Sequence, residues 1–325
     1  LPKDRGDFTL KHQSWLLPLL LLFLSFGCDD DSDSAAGDST KEGTSAEDDA
    51  GASETVFSSK TLDPANILTI SAGDTHSCAL LTDGAVCWGS NDVGEGTIPA
   101  LSNPKQIVAG GGRTCALDDK GVQCWGDYLN PTSVTTYDLT NPSYVVVSNG
   151  SSNTCALSEE GVTCWGMIDH ATKIDPVFTN PTIVTSGMAF NCVHDDNGVK
   201  CWGKTMQKGE IKVPEFSDVK LMASGATHSC VLDGTEIKCW GAWAEGQLEA
   251  PALTNVTELT AGAAHSCALS DEGVACWGSN ENGQTKVPPL ANPKHVSAGK
   301  FHTCAIDDNG ITCWGRNDKK QIEVP

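Results

Sequence analysis

The chain has 325 residues, enough for one large domain or two ordinary ones, with 19% charged and 39% hydrophobic side chains. Lys and Arg number 21 against 42 Asp and Glu, a formal net charge of -21. A nucleic-acid binder needs a basic footprint to displace phosphate counterions, and no run of Lys and Arg supplies one. Nucleic acid is therefore excluded as a partner, and anionic lipid is a poor one.

In chain order, Trp15 to Phe26 (WLLPLLLLFLSF) forms an apolar run behind Lys3, Arg5 and Lys11, and it ends at Gly27-Cys28. A basic start, about a dozen apolar residues and a small residue before the cut describe a secretory signal. The run falls short of the roughly 20 apolar residues that a membrane span needs. The junction Ser25-Phe26-Gly27-Cys28 resembles a bacterial lipobox, in which the Cys is lipidated and becomes the mature N-terminus. The expectation is a signal over 1–27, lipid on Cys28 and export to a bacterial cell envelope or surface. Membrane contact would then be through the lipid alone; the alternative is a cleaved, unlipidated signal. Residues 29–54 hold ten acids, one Lys and no apolar side chain larger than Ala. Such a stretch cannot bury enough surface to offset ordering entropy, so 28–61 reads as a solvated acidic tether.

From residue 62 to 325 the sequence repeats. First cysteines stand at Cys78, Cys115, Cys155, Cys192, Cys230, Cys267 and Cys304. Each has a second nine residues on: Cys87, Cys124, Cys164, Cys201, Cys239, Cys276 and Cys313. A Trp-Gly pair follows every second Cys, and a Gly stands five residues before every first one, from Gly73 through Gly150 to Gly299. Steps of 37–40 residues mean a solenoid or a propeller. In the first copy, HSCAL and AVCWG flank Leu81-Thr82-Asp83-Gly84, which reads as a hairpin with Cys78 opposite Cys87 and Gly84 closing the loop. No copy shows a helical period. The units are all-β, about four short strands each, the size of a propeller blade.

The segments GDTHSCALLTDGAVCWGSNDVGEG and GAAHSCALSDEGVACWGSNENGQ resemble repeats of the regulator of chromosome condensation family, in its compact cysteine-bearing bacterial cell-surface form. The resemblance covers about residues 66–325 and implies a seven-bladed β-propeller, one blade per copy. The hairpin register sets the two cysteines of each copy opposite one another, close to the separation a disulfide requires. Seven local bridges use fourteen cysteines and leave Cys28 for lipid. Zinc is the alternative, but two thiolates per blade are too few for a closed site. Strand alternation sends each repeated Trp to the face opposite its neighbouring Cys, where it would fill the space between blades. The repeated Gly would mark the crowded axis.

Four copies carry His two residues before the first Cys: His76, His228, His265 and His302. A hydrogen bond to the next blade is expected of them, with a metal site along one arc as the sharper alternative. Pairs such as Asp118-Asp119, Glu159-Glu160 and Asp307-Asp308 read as turn chemistry. No phosphate loop, nucleophile elbow or zinc helix is present, so neither catalytic residues nor a cofactor is expected. The residues that break the repeat are the recognition candidates: Tyr128 and Tyr137 in DYLNPTSVTTYDL, His170 in MIDHATKIDPVF, and the unrepeated Trp243. The reading is a monomeric, non-enzymatic interaction module for a protein or cell-surface polymer. Nucleotide exchange, implied by the family, and a propeller hydrolase or lyase are the alternatives.

Overall fold

A computed structural model describes residues 62–126, 132–151, 153–166, 177–203, 212–242 and 244–325. The expected signal, Cys28 and the tether lie outside the described residues. The repeat forms seven antiparallel sheets, one per copy. The inner strands are Ile67–Ala72, Gln106–Ala109, Tyr144–Val147, Ile183–Ser186, Val219–Ser224, Glu258–Ala261 and His295–Ala298. Each inner strand lies beside those of the blades before and after it, and the seventh lies beside the first. The fold is a closed seven-bladed propeller.

Within each blade the two remaining strands are the cysteine hairpin, His76–Leu81 with Gly84–Gly89 in blade 1. The middle strand is buried at almost every position because neighbouring blades cover both its faces. That sandwiching explains its unbroken apolar and small-residue sequence. The expected register holds: Cys78 pairs with Cys87, Ala79 with Val86 and Leu80 with Ala85. Pairing runs one step further, Leu81 to Gly84, so the loop is two residues rather than four. Gly84 takes φ +149°, and in blade 5, where Glu236 replaces that Gly, Gly234 takes the positive φ inside the turn. Asp118 and Asp307 accept the N–H two residues on, at 2.8 Å each, which is the turn role expected of them.

All seven disulfides form between residues nine apart, with Cα atoms 4.0–4.1 Å apart. Six of the seven repeated tryptophans pack in a cluster with the disulfide of the preceding blade, among them Trp125 with Cys78 and Cys87, Trp88 with Cys304 and Trp277 with Cys230. Burying 150–250 Å² apiece, these indoles are the main apolar cement of the ring.

Two expectations are corrected. Six blades have three strands among the described residues, and only blade 2 adds a fourth, Val134–Tyr137. After blades 1, 6 and 7 the connection following Trp-Gly turns a carbonyl toward the next blade instead of pairing. Blades 1 and 7 are each built from consecutive strands, so the ring closes without a strand shared between them. Closure comes instead from the Gln321 carbonyl, which receives the Trp88 Nε1–H at 3.0 Å and the Ser77 hydroxyl at 3.1 Å.

The second correction concerns Gly150. A Cβ on Gly225, Gly262 or Gly299 would come within 2.2–2.4 Å of the next blade's glycine carbonyl, so these positions admit no side chain. In blade 3, Val146 rather than Ser148 pairs with Cys155, which places Ser148 at the ring position. Its carbonyl accepts from the Gly111 N–H as the ring demands. Gly150 belongs to a two-residue insertion, and the 40-residue step before Cys155 is its trace in the sequence. The insertion crosses the axis: Gly150 N–H bonds Asp74 Oδ1 of blade 1 at 2.7 Å, and Asn149 Nδ2 bonds the Ala298 carbonyl of blade 7 at 3.0 Å. Lys300 pairs with Asp74 at 3.1 Å beside it. Burial raises the Asp74 pKa, with Lys300 and the Gly150 amide pulling the other way.

Candidate functional site

The histidines do bond to the next blade, and the bond belongs to a larger clasp. His76 Nε2 meets Thr114 Oγ1 at 2.8 Å, His228 meets Ser266 at 2.8 Å, His265 meets Thr303 at 3.0 Å and His302 meets Ser77 at 2.8 Å. In three of the four the hydroxyl donates onward to a carbonyl of the histidine's own blade: Thr114 to Glu95 at 2.7 Å, Ser77 to Gln321 at 3.1 Å and Thr303 to Gln284 at 2.9 Å. The next blade's indole reaches the same carbonyl, Trp125 at 3.0 Å and Trp314 at 2.9 Å. The carbonyl is presented by a turn that folds around its own buried side chain. Glu95 accepts the Val93 N–H and Gln284 the Asn282 N–H, at 2.8 and 2.9 Å.

This circuit fixes the tautomer. A hydroxyl has one proton, and Thr114 and Thr303 give theirs to a carbonyl, so the imidazole Nε2–H must be the donor. Nδ1 is then a bare acceptor, buried and without a partner in all four histidines. Burial lowers the pKa to about 4 for His76 and His228. Burial and the neighbouring histidines lower it to about 3 for His265 and His302. These rings are neutral structural donors. Among the described residues no three His, Cys, Asp or Glu side chains converge as a metal-binding group.

Clasps join blade 5 to 6, 6 to 7, 7 to 1 and 1 to 2. At the other three junctions Arg113, Asn153 and Phe190 replace the histidine, and Thr132, Thr172 and Gly209 stand where Glu or Gln supplies the carbonyl. Those junctions pack an aromatic ring on the next tryptophan instead. Tyr137 stacks on Trp165 with centroids 4.0 Å apart, and Phe178 on Trp202 and Phe216 on Trp240 lie 5.3 Å apart. Tyr137, expected to be an exposed recognition residue, is thus half-buried packing, held in place because its strand pairs with Gly121–Trp125. Phe178 and Phe216 were not anticipated, since each occurs once and no spacing marks it. Tyr128, His170 and Trp243 lie outside the described residues.

The regulator of chromosome condensation (RCC1) repeat model matches residues 67–95, 256–284 and 294–321, each span ending on a clasp residue, Glu95, Gln284 or Gln321. Three of the seven units thus match that repeat. No curated protein matches the chain. Solved structures with this type of propeller do. The ectodomain of the Physcomitrella patens receptor kinase CR4 is 22% identical, with a TM-score of 0.63, covering 77% of this chain and 74% of that one. The ectodomain of the Arabidopsis thaliana receptor kinase ACR4 is 22% identical, with a TM-score of 0.62 and coverage of 79% and 98%. Prp20p of Saccharomyces cerevisiae, described for its binding to Gsp1p and histones, is 15% identical, with a TM-score of 0.60 and coverage of 79% and 84%. At such identities the likeness establishes the regulator of chromosome condensation fold and leaves the partner to be argued from this chain.

Proposed function

We propose that the protein is a non-enzymatic interaction module, exported and anchored by lipid on Cys28, that binds a protein or surface polymer through the connections following blades 2 to 5. The observation that carries this reading is where the repeat is kept and where it is broken. On the clasped arc the connection after Trp-Gly is committed to structure, because its carbonyl must reach the next blade's tryptophan and hydroxyl. After blades 2, 3 and 4 that duty passes to one aromatic ring on each connection. The remainder of those connections is free to vary for recognition, and Tyr128 and His170 lie there. Trp243 is a further aromatic outside the repeat; the connection after blade 5 commits its Gln247 carbonyl to the Trp277 indole, and Trp243 precedes that committed turn in the chain. Large aromatic side chains off a rigid scaffold are the usual anchors of a binding surface.

Seven disulfides support an oxidising, exported setting. No helix among the described residues is long and apolar enough to cross a membrane. The propellers of receptor ectodomains and of a Gsp1p- and histone-binding protein support protein recognition on this scaffold. The test is affinity capture from cell-envelope extracts. The Tyr128→Ala/His170→Ala/Trp243→Ala variant should lose the captured partner, while Glu281→Ala/Asn282→Ala, on a clasped connection, should retain it. Equal capture by both would sink the reading. Radiolabelled fatty acid should mark the wild type and not Cys28→Ser.

A further inference from the structure

The insertion in blade 3 turns the propeller axis from a channel into a blind cavity. Inner strands of all seven blades line a space of about 270 Å³. Its floor is Asn149, held across the axis by the Ala298 carbonyl at 3.0 Å. Its mouth lies where the inner strands begin, beside Thr69, Gln106 and the exposed Tyr144. The size is at the small end for a ligand pocket, which runs from roughly 300 to 1,000 Å³.

The wall carries no charged side chain. What it carries is unspent hydrogen-bonding capacity. Ser71, Thr260 and Ser297 each accept a backbone N–H from the next blade, those of Ala109, Ala298 and Ala72, at 2.9, 3.1 and 3.0 Å. Among the described residues none of these three hydroxyls donates, so three protons are available to a guest. Asn149 spends its amide on the floor. Each of the three hydroxyls accepts one N–H and keeps a second lone pair, so a guest can both accept from them and donate to them. Val108 and Val146 add aliphatic wall beside these groups. An anion finds no cation in the wall, a cation finds no carboxylate, and a hydrocarbon would leave the hydroxyl protons unpaired.

We propose that the axial cavity binds a small uncharged polyol of monosaccharide size, with the Ser71, Thr260 and Ser297 hydroxyls donating and accepting along the wall and the Tyr144 ring at the mouth. Adjacent hydroxyls on a short carbon frame offer this mixture of donors, acceptors and apolar edges. The site shares no residue with the recognition candidates on the outer connections, so either assignment can fail without the other.

The full chain is titrated calorimetrically with glucose, galactose, N-acetylglucosamine and mannitol, with glucuronate as the charged comparison. A neutral member should bind one to one, and glucuronate about tenfold or more weakly. Tyr144→Ala, at an exposed position where folding is not at stake, should weaken binding by about tenfold, the scale of one lost contact. A crystal soaked in the binding sugar should show it against the Ser71, Thr260 and Ser297 hydroxyls. No binding by any neutral member, binding indifferent to Tyr144→Ala, or ordered water alone in the soaked cavity would each overturn the proposal.

Discussion

The two arcs of the propeller solve one problem with different chemistry. Blades must adhere to their neighbours, and across four junctions they do so through a shared polar circuit of histidine, hydroxyl, carbonyl and indole. Across the other three they rely on a ring packed on the indole. The polar circuit is demanding, since every member must be satisfied or the group left over costs more than the bond was worth. It therefore holds its sequence, and all three spans matched by the family model lie on that arc. Aromatic packing asks only for area, so the rest of each connection is released. Conservation of the motif and freedom to vary are consequences of the same substitution.

The comparison is broken most forcefully with acid. The four clasp histidines titrate near 3 or 4 in the fold, against an ordinary value of 6.5. Between those limits the unfolded chain binds more protons than the native one, so stability falls as pH drops. The slope is about 1.4 kcal/mol per pH unit for each histidine, with the contribution whole above pH ~6.5. Urea midpoints should hold steady from pH 8 to 7 and fall steeply below 6.5. His265→Gln should make that fall shallower by one histidine's share. Hydrogen exchange at acid pH should release the clasped arc before blades 3 and 4; the reverse order would remove the basis for the polar reading.

The disulfides give the opposite expectation, because they do not distinguish the arcs. Replacing Cys267 and Cys276 by Ala, or Cys155 and Cys164 by Ala, should each cost about 2–3 kcal/mol in denaturant unfolding, the value for closing so short a loop. A large difference between the two pairs would mean that blade–blade adhesion and not the loop sets the cost.

These bridges also show what was legible beforehand. Seven copies expose any feature that recurs, so the hairpin register, the pairing of cysteines nine apart and the histidine bond to the next blade could all be read from spacing. Features that occur once leave no such trace. Phe178 and Phe216 look like ordinary loop residues until the tryptophan beneath them is seen, and Tyr137 looks exposed until its strand is paired. Gly150 misled because a glycine happened to fall at the repeated spacing while two extra residues had shifted the loop. The long step before Cys155 held that information, but length alone does not say which side of a strand has grown. The fourth strand was expected of every blade on size, whereas the connection's work on the clasped arc is to turn a carbonyl toward its neighbour.

A smaller and sharper comparison sets one hydroxyl against another at the same position of the repeat. Thr303 stands just before Cys304, takes the His265 Nε2–H at 3.0 Å and gives its proton to the Gln284 carbonyl at 2.9 Å. Thr303→Val keeps the shape and strands a buried imidazole donor, so it should lower stability by about 1–3 kcal/mol. A loss near zero in the unfolding free energy would mean that the clasp contributes geometry but no energy.

Thr154 occupies the matching place before Cys155, on the arc without clasps. It is as fully buried as Thr303, yet its hydroxyl has no partner. Arg113 of blade 2 stands where a histidine would reach the Thr154 hydroxyl, and Thr132 stands where Glu or Gln would offer it a carbonyl. The Thr154 oxygen has therefore already borne the cost of leaving water without recovering it. Thr154→Val exchanges the unpaired hydroxyl for a methyl of nearly equal volume in a site that asks for nothing polar, and the change in unfolding free energy should be about zero or slightly stabilising. A loss as large as that of Thr303→Val would show that this hydroxyl is bonded after all, and that the division of the ring into two kinds of junction does not hold at the position where it is most cleanly drawn.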